Sequence, residues 1–332
     1  MTRVLLSHTR EALALYYGDE ALARLRAVAE VRTVDSDSEL PLATLIERAA
    51  DCDVVVSFRA TAAPRALFAG LPRLQAFIRC AVDIRNVDVA AASEHGVLVT
   101  HASAGFVTSV AEWSLGAMID LARDMTSATL VYRGGVAPSP LMGRTLRGST
   151  LGLVGFGRIA RELAETALVL GMRVVATDPH VRSGDARIEW SSFEAVLGEA
   201  DFVVCLAVAT EATEKLFDAA AFGRMKPGAF FVNPSRGNLV DDDALLAALD
   251  AGALAGCALD VGRADDQMPA LRLAGHPRCI ATPHIGGLTR AAIDHQAFET
   301  VAQVAEIAQG RVPEGAANGE VAGLRLHAAL SR

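Results

Sequence analysis

From Thr150 onward the chain alternates short apolar runs with helix-like stretches: "TLGLVGF", "RVVATDP", "ADFVVCLAV", "AFFVNPS", "LAGCALDV" and "RCIATPH" come one after another, most with a helical segment between them. This alternation is the strongest constraint on the fold. Strands joined through helices by short connections run parallel, and a parallel sheet needs helices on both faces because its strands are buried on both sides. Residues 1 to about 100 repeat the pattern with "VLLS", "DVVVSF", "LQAFIRC" and "GVLVTH", separated by helical stretches such as "ALARLRAVAE" and "PLATLIERAA". At 332 residues the chain exceeds what one hydrophobic core usually serves, so two α/β domains are expected. Between them "TSVAEWSLGAMIDLARDM", residues 108 to 125, has helical periodicity and leads into "YRGGVAPSPLMG", whose Gly and Pro exclude regular structure. Residues 289 to 309 read as a final long helix.

Composition removes several function classes. The formal charge is −8 and no basic run exists, which disfavours nucleic acid, since phosphate backbones require clustered Lys and Arg. Lys215 and Lys226 are the only lysines, so arginine is the default cation and no arginine is notable by identity alone. No segment is apolar for long enough to span a bilayer, and "MTRVLLSHTR" reads as a strand and turn rather than a signal peptide; a cytoplasmic protein with no membrane partner is expected. Cys52, Cys80, Cys205, Cys257 and Cys279 are odd in number, widely spaced and without a C-x-x-C pair, so neither a metal site nor a disulfide framework is expected.

Within "LGLVGFGRIA" lies G-x-G-x-x-A, with Gly155 for a tight turn, Gly157 for close approach of a pyrophosphate and Ala160 where helix meets strand. Such glycines are common in structural turns. Here an apolar strand precedes them, a helix follows, and Asp178 ends the next strand, 23 residues after Gly155. An acidic group there accepts the ribose hydroxyls of NAD and repels the 2′-phosphate of NADP. Arg182 is the one cation nearby that could offset that repulsion.

Beyond this motif three successive strands deliver chemistry to the same sheet edge, where ligands of such folds bind. "NPSRGNLVDDDAL" places Arg236, "GCALDVGRADD" places Asp260, Asp265 and Asp266, and "ATPHIGG" places His284. At these residues the chain resembles the D-isomer-specific 2-hydroxyacid dehydrogenase family. The resemblance runs from about residue 75 to 318 and rests on "LRGSTLGLVGFGRIA", "ATDP", "MKPGAFFVNPSRGNLVDDDAL", "LAGCALDV", "TPHIGG" and "GAAN". It implies two Rossmann-like α/β domains with parallel sheets. An NAD-binding domain, residues 102–288, is inserted into a discontinuous, flavodoxin-like substrate domain, residues 1–101 plus 289–332. It also implies a homodimer joined through the cofactor domain, an idea supported by the apolar Trp113, Leu115, Met118 and Leu121 on the helix of residues 108 to 125.

The same resemblance assigns residues. Gly155, Phe156, Gly157, Arg158, Ile159, Asp178, Ala207, Val208, Pro234, Ser235, Asp260, His284 and Gly286 bind the cofactor NAD. Val82 and Asp83, by their backbone N–H groups, hold the substrate carboxylate with Arg236. Arg236, His284 and an acidic partner of the histidine form the catalytic set, and no metal is involved. The residue types suit the chemistry. Reduction of a 2-oxo acid needs a proton at the carbonyl oxygen as a hydride reaches the carbon, and an imidazole titrates in the right range. A guanidinium grips a carboxylate with a fork that lysine lacks.

The chain departs from the family's pattern at several points. The family's glutamate partner for the histidine is replaced by Asp265, about 1.5 Å shorter in reach, and its following proline by Asp266; register favours Asp265, with Asp266 the alternative. In "CAVDIRNVD" Ala81 and Asp83 stand for glycines and Arg85 for an acid, so Asp83 must turn from an anionic substrate or pair with Arg79 or Arg85. Phe106 and Val107 replace Asn-Thr, and Val208 a common proline. A substrate other than the family's commonest, and not a phosphorylated one, is expected. Two rivals share the architecture: an NAD-sensing, corepressor-like protein and a formate dehydrogenase. The joint presence of Arg236 and His284 speaks against the first, and an acid where formate-oxidising relatives carry an amide against the second.

Overall fold

The computed structural model describes residues 1–264 and 267–320. The chain divides into two compact units, Met1–Gly105 with the chain from Arg290 onward, and Phe106–Thr289.

In the first unit the described strands are β1 (Arg3–Leu6), β2 (Glu30–Thr33), β3 (Val54–Ser57), β4 (Ala76–Arg79) and β5 (Leu98–His101). They form one parallel sheet in the order β2-β1-β3-β4-β5. This is the flavodoxin-like order, with its winding reversed between β1 and β3. The central strands read "VVVS" and "AFIR" and are buried throughout, as strands covered on both faces must be. Alternate side chains serve opposite cores: Val4 and Leu6 on one face, Leu5 with Val55 and Phe77 on the other. The helix Arg290–Ala308 returns to this unit and contributes Ala297, Val304 and Ile307 to the first of these cores. Asn318, from "GAAN", closes the outer edge of β5. Its side chain accepts from Val99 N at 2.8 Å and donates to Val97 O at 2.9 Å, a tie that withholds edge groups from other chains.

The second unit contains β6 (Thr150–Val154), β7 (Arg173–Thr177), β8 (Ile188–Trp190), β9 (Phe202–Cys205), β10 (Ala229–Asn233), β11 (Leu254–Leu259) and β12 (Cys279–Ala281). Among the described residues these make a parallel sheet ordered β12-β11-β10-β9-β6-β7-β8, the dinucleotide-fold order with one further strand and its reversal between β6 and β9. One hydrophobic cluster fills each face.

The helix Val107–Arg123 packs on this sheet, and Met118 is fully buried while Trp113, Leu115 and Leu121 pack against the same core. The side chains that suggested an interface therefore pack on the core of their own unit, Met118 wholly and the other three in part, and the more exposed apolar residues lie further along. At Asp124 the backbone turns left-handed, φ 56°, and a second helix, Met125–Arg133, follows with none of its residues buried. Met125, Leu130, Val131 and Tyr132 are exposed on it. No helix among the described residues is long and apolar enough to cross a membrane.

Candidate active site

The turn after β6 shows why glycine stands where it does. Gly155 has φ +92°, and a Cβ there would lie 2.6 Å from Ala207 N and from the Leu206 carbonyl. Two crossing backbones leave no room for a side chain. At Gly157 the reverse holds: nothing lies within 4 Å of a Cβ position, and the helix Arg158–Val169 begins there with no side-chain cap. An open approach to uncapped backbone N–H groups suits a pyrophosphate. Ala160 is fully buried at the helix–sheet contact. Phe156 turns its ring into the core, edge-on to Trp190, while its N–H donates to Asp178 Oδ2 at 2.8 Å. Asp178 Oδ1 accepts from His180 N and Val181 N. Burial by itself would raise this half-buried carboxyl, but the three backbone bonds together outweigh it and hold the group below the usual carboxylate range. The carboxylate thus stays charged at the end of β7. Arg182 lies over the Trp190 ring, 5.6 Å from its centroid. Together an open glycine, an uncapped helix start and a fixed anion fit an NAD diphosphate and ribose.

Across the reversal point, β9 leads into Leu206, Ala207 and Val208. Ala207 is half-buried beside Gly155, whereas Val208 is 76% exposed, its carbonyl accepting from Thr213 Oγ1. Beyond β10, Asn233 is buried and shapes the next turn, its amide donating to Arg236 O at 2.9 Å and accepting from Ser235 N at 3.0 Å. Pro234 is buried; Ser235 and Arg236 are half-buried, and Arg236 Nη1 donates to Ser235 O. Gly237 meets the Gly262 backbone so closely that any Cβ would collide, which locks this turn to the one after β11. Because β10, β11 and β12 are neighbours, Arg236, Asp260 and His284 emerge on one rim.

Asp260 is 1% exposed. Its Oδ1 accepts from Thr282 Oγ1 at 2.6 Å and Ile285 N at 2.8 Å, and its Oδ2 from Gly286 N at 2.7 Å. The carboxylate therefore faces the loop that carries His284, and sequence reasoning missed this. Thr282 was hidden inside "TPHIGG" as one more polar residue of the motif, and Asn233 inside "NPSRG". His284 is half-buried with φ +55°, an uncommon backbone for a residue with a side chain. Asp265 and Asp266, the two options for its acidic partner, lie outside the described residues.

In the first unit the loop after β4 answers the question of Asp83. Its carboxylate accepts from Arg85 N at 3.0 Å and Arg85 Nε at 2.9 Å, so the added charge is paired within two residues. Arg79 is fully buried and donates to the carbonyls of Phe58 and Thr61 and to Asn86. Val82 and Asp83 are half-buried. No group of three or more His, Cys, Asp or Glu suited to a metal occurs among the described residues.

Comparison with known proteins follows the same division. Residues 115–286 match the family model described as D-isomer specific 2-hydroxyacid dehydrogenase, NAD binding domain. The chain is 34% identical over 301 residues to D-3-phosphoglycerate dehydrogenase 2, chloroplastic, of Arabidopsis thaliana, covering 89% of this chain and 48% of that one. It is 37% identical over 269 residues to the (S)-sulfolactate dehydrogenase of Chromohalobacter salexigens, covering 79% of this chain and 86% of the relative. Among solved structures, the TT0316 protein of Thermus thermophilus superposes with a TM-score of 0.85 at 30% identity, over 95% of this chain and all of that one. The chain spans about half the length of the plant relatives it matches. With a family model covering more than half of its residues and a relative matched over most of its length, the chain belongs to the D-isomer specific 2-hydroxyacid dehydrogenase family.

Proposed function

We propose that this chain is an NAD-dependent oxidoreductase that transfers a hydride between NAD(H) and a 2-hydroxy acid/2-oxo acid pair, with D stereospecificity. One observation carries the reading: Arg236 and His284 emerge beside Asp260 from the adjacent strands β10, β11 and β12, on the rim where Gly155, Gly157 and Asp178 suit a dinucleotide. NAD, held by the Gly155–Ile159 turn, Asp178, Ala207, Val208, Pro234 and Ser235, would supply the hydride acceptor or donor. Arg236 binds the substrate carboxylate by its fork and polarises the carbonyl. His284 gives a proton to the carbonyl oxygen in reduction and takes it from the hydroxyl in oxidation. Val82 and Asp83, by the family resemblance, are proposed to offer backbone N–H groups to an anionic group. Stopped-flow NADH oxidation across a panel of 2-oxo acids tests the reading; a folded protein that binds NADH and reduces none of them would sink it.

The substrate is proposed to be unphosphorylated, because the two arginines nearest Val82 in sequence are engaged, Arg79 by carbonyl oxygens and Arg85 by Asp83. Much faster reduction of phosphohydroxypyruvate than of unphosphorylated 2-oxo acids would reverse that preference. A homodimer is proposed through the exposed apolar side of Met125–Arg133 and the Val136, Leu141 and Met142 that follow, all exposed. Light scattering at a monomer mass of 34.8 kDa would remove it. A cytoplasmic setting suits the neighbouring free thiols of Cys257 and Cys279, which face each other across β11 and β12.

A further inference from the structure

We propose that Thr282 and Trp113 are positioning residues for His284, acting through the buried carboxylate of Asp260. The proposal rests on the reading of His284 as the proton carrier. Within the loop from Thr282 to Gly287, His284 N donates to Thr282 O at 2.9 Å, a bond of the turn itself. Pro283 has no N–H, Gly286 and Gly287 are permissive, and between them His284 holds a left-handed backbone that a side chain disfavours. A hold from outside the loop adds to that bond. Asp260 supplies it from the end of β11, gripping the loop on both sides of His284, at Thr282 Oγ1 before it and at the N–H groups of Ile285 and Gly286 after it. The fit leaves no slack, since a Cβ on Gly286 would lie 2.8 Å from Asp260 Oδ2.

The direction of the chain of bonds is fixed by chemistry. Trp113 Nε1 can only donate, and it lies 3.1 Å from Thr282 Oγ1. The threonine hydroxyl therefore accepts from the indole, and its single proton goes to Asp260 Oδ1, 2.6 Å away. A donor on the helix Val107–Arg123 thereby orients a hydroxyl on the β12 loop, and that hydroxyl orients the carboxylate which fixes the backbone on the far side of His284. Thr282 N also donates to Leu259 O at 3.0 Å and Thr282 O accepts from His284 N at 2.9 Å, so the residue is anchored by main chain as well. Loss of the hydroxyl alone should loosen the loop without releasing the strand. An imidazole displaced by about 1 Å can cost roughly 100-fold in rate.

The test compares Thr282→Val, which keeps the side-chain shape, with Thr282→Ser, which keeps the hydroxyl, and with Trp113→Phe, which removes the indole N–H. Thr282→Val is expected to lower kcat for 2-oxo acid reduction roughly 10- to 100-fold, while KM and the NADH Kd stay within about twofold. Amide exchange at Ile285 and Gly286 quickens in step. Thr282→Ser returns kcat close to wild type, and Trp113→Phe falls between. Wild-type kcat and wild-type exchange in Thr282→Val overturn the proposal, as does a serine variant no better than the valine one. Should Thr282→Val not fold, Trp113→Phe carries the same two readouts. If the wild-type protein reduces no 2-oxo acid yet exchange at Ile285 and Gly286 follows the variants as stated, the clamp stands and the dehydrogenase reading falls.

Discussion

Both sheets of this protein are parallel and each reverses its winding once, but the two reversal points carry opposite kinds of residue. The loop leaving β6 is glycine-built, with Gly155 at φ +92°, open space at Gly157 and a following helix whose start has no side-chain cap. The loop leaving β1 reads Ser7, His8 and Thr9. Thr9 Oγ1 accepts from Ala12 N and caps the helix Arg10–Tyr16 itself, and the His8 ring is buried edge-on to Tyr17 and tilted against Phe58. Ligands of such folds enter at a reversal point, and that point is open in one unit and filled by side chains in the other. Topology supplies the crevice; side chains decide whether a phosphate can use it.

The largest effects are expected where the open rim carries chemistry. His284→Ala should lower turnover by roughly 100- to 10,000-fold while leaving NADH binding nearly intact, read by steady-state kinetics and fluorescence titration. Equal loss of both would make His284 a structural residue instead. Gly155→Val strikes the crevice itself, because its Cβ would sit 2.6 Å from backbone of the β9 loop, and NADH affinity should fall about 100-fold. The matching change at the closed reversal point, Thr9→Ala, removes only a cap. It should cost about 1 kcal/mol of stability and leave the NADH Kd unchanged. An equal effect of the two on NADH would erase the contrast.

The closed crevice has its own signature in pH. Burial, helped by the charge of Arg79, pushes the His8 imidazole from 6.5 down to about 3. A histidine whose folded pKa is depressed binds its proton in the unfolded chain first. Its stabilising effect is therefore complete above about 6.5 and is lost as pH falls from there toward 3, at roughly 1.4 kcal/mol per pH unit. Amide exchange in β1 and β3 should quicken accordingly between pH 6.5 and 5, and His8→Leu should flatten that dependence. A wild-type protein whose exchange, corrected for intrinsic chemistry, is flat over that range would show that His8 is not buried neutral.

How much of this was legible beforehand depended on burial. Strands covered on both faces, such as "VVVS" and "AFFVN", carry their own apolar signal and were readable. The edge strand β2, "EVRT", alternates exposed and half-buried residues, and β8 is three residues long, so neither forms an apolar run. The helix Met125–Arg133 was hidden for the same reason, having no buried face to set a period. In the site, the glycines and Asp178 were legible because their chemistry is local in sequence. The bonds from Trp113 to Thr282 and from Thr282 to Asp260 span 169 and 22 residues, and no spacing announces them.

Asp178 sharpens the open rim further. Its carboxylate, held charged by three backbone N–H groups, should make NADH bind at least about tenfold more tightly than NADPH, since a 2′-phosphate would meet a like charge. Arg182 is the residue able to oppose this, and it stacks on Trp190. Fluorescence titration with both reduced cofactors decides the matter, and tighter NADPH binding would show that Arg182 leaves the indole for the phosphate.

A modest effect is expected from the acid proposed as the partner of His284. Reduction consumes a proton from the imidazolium, so activity should decline as pH rises through the histidine's pKa. A carboxylate next to the ring favours the charged form and moves that decline to higher pH. Asp265→Asn removes the charge and keeps the shape, so the alkaline limb of the kcat/KM profile for 2-oxo acid reduction should move to lower pH by about one unit. The side-chain arm of aspartate is one methylene shorter than the family's glutamate, which makes Asp265→Glu informative in the other direction: a limb moved further toward high pH would show that the native arm falls short. A profile untouched by Asp265→Asn but shifted by Asp266→Asn transfers the role one residue along. If neither substitution moves it, the proton carrier works without either carboxylate as its partner, and these two short acids have some other task.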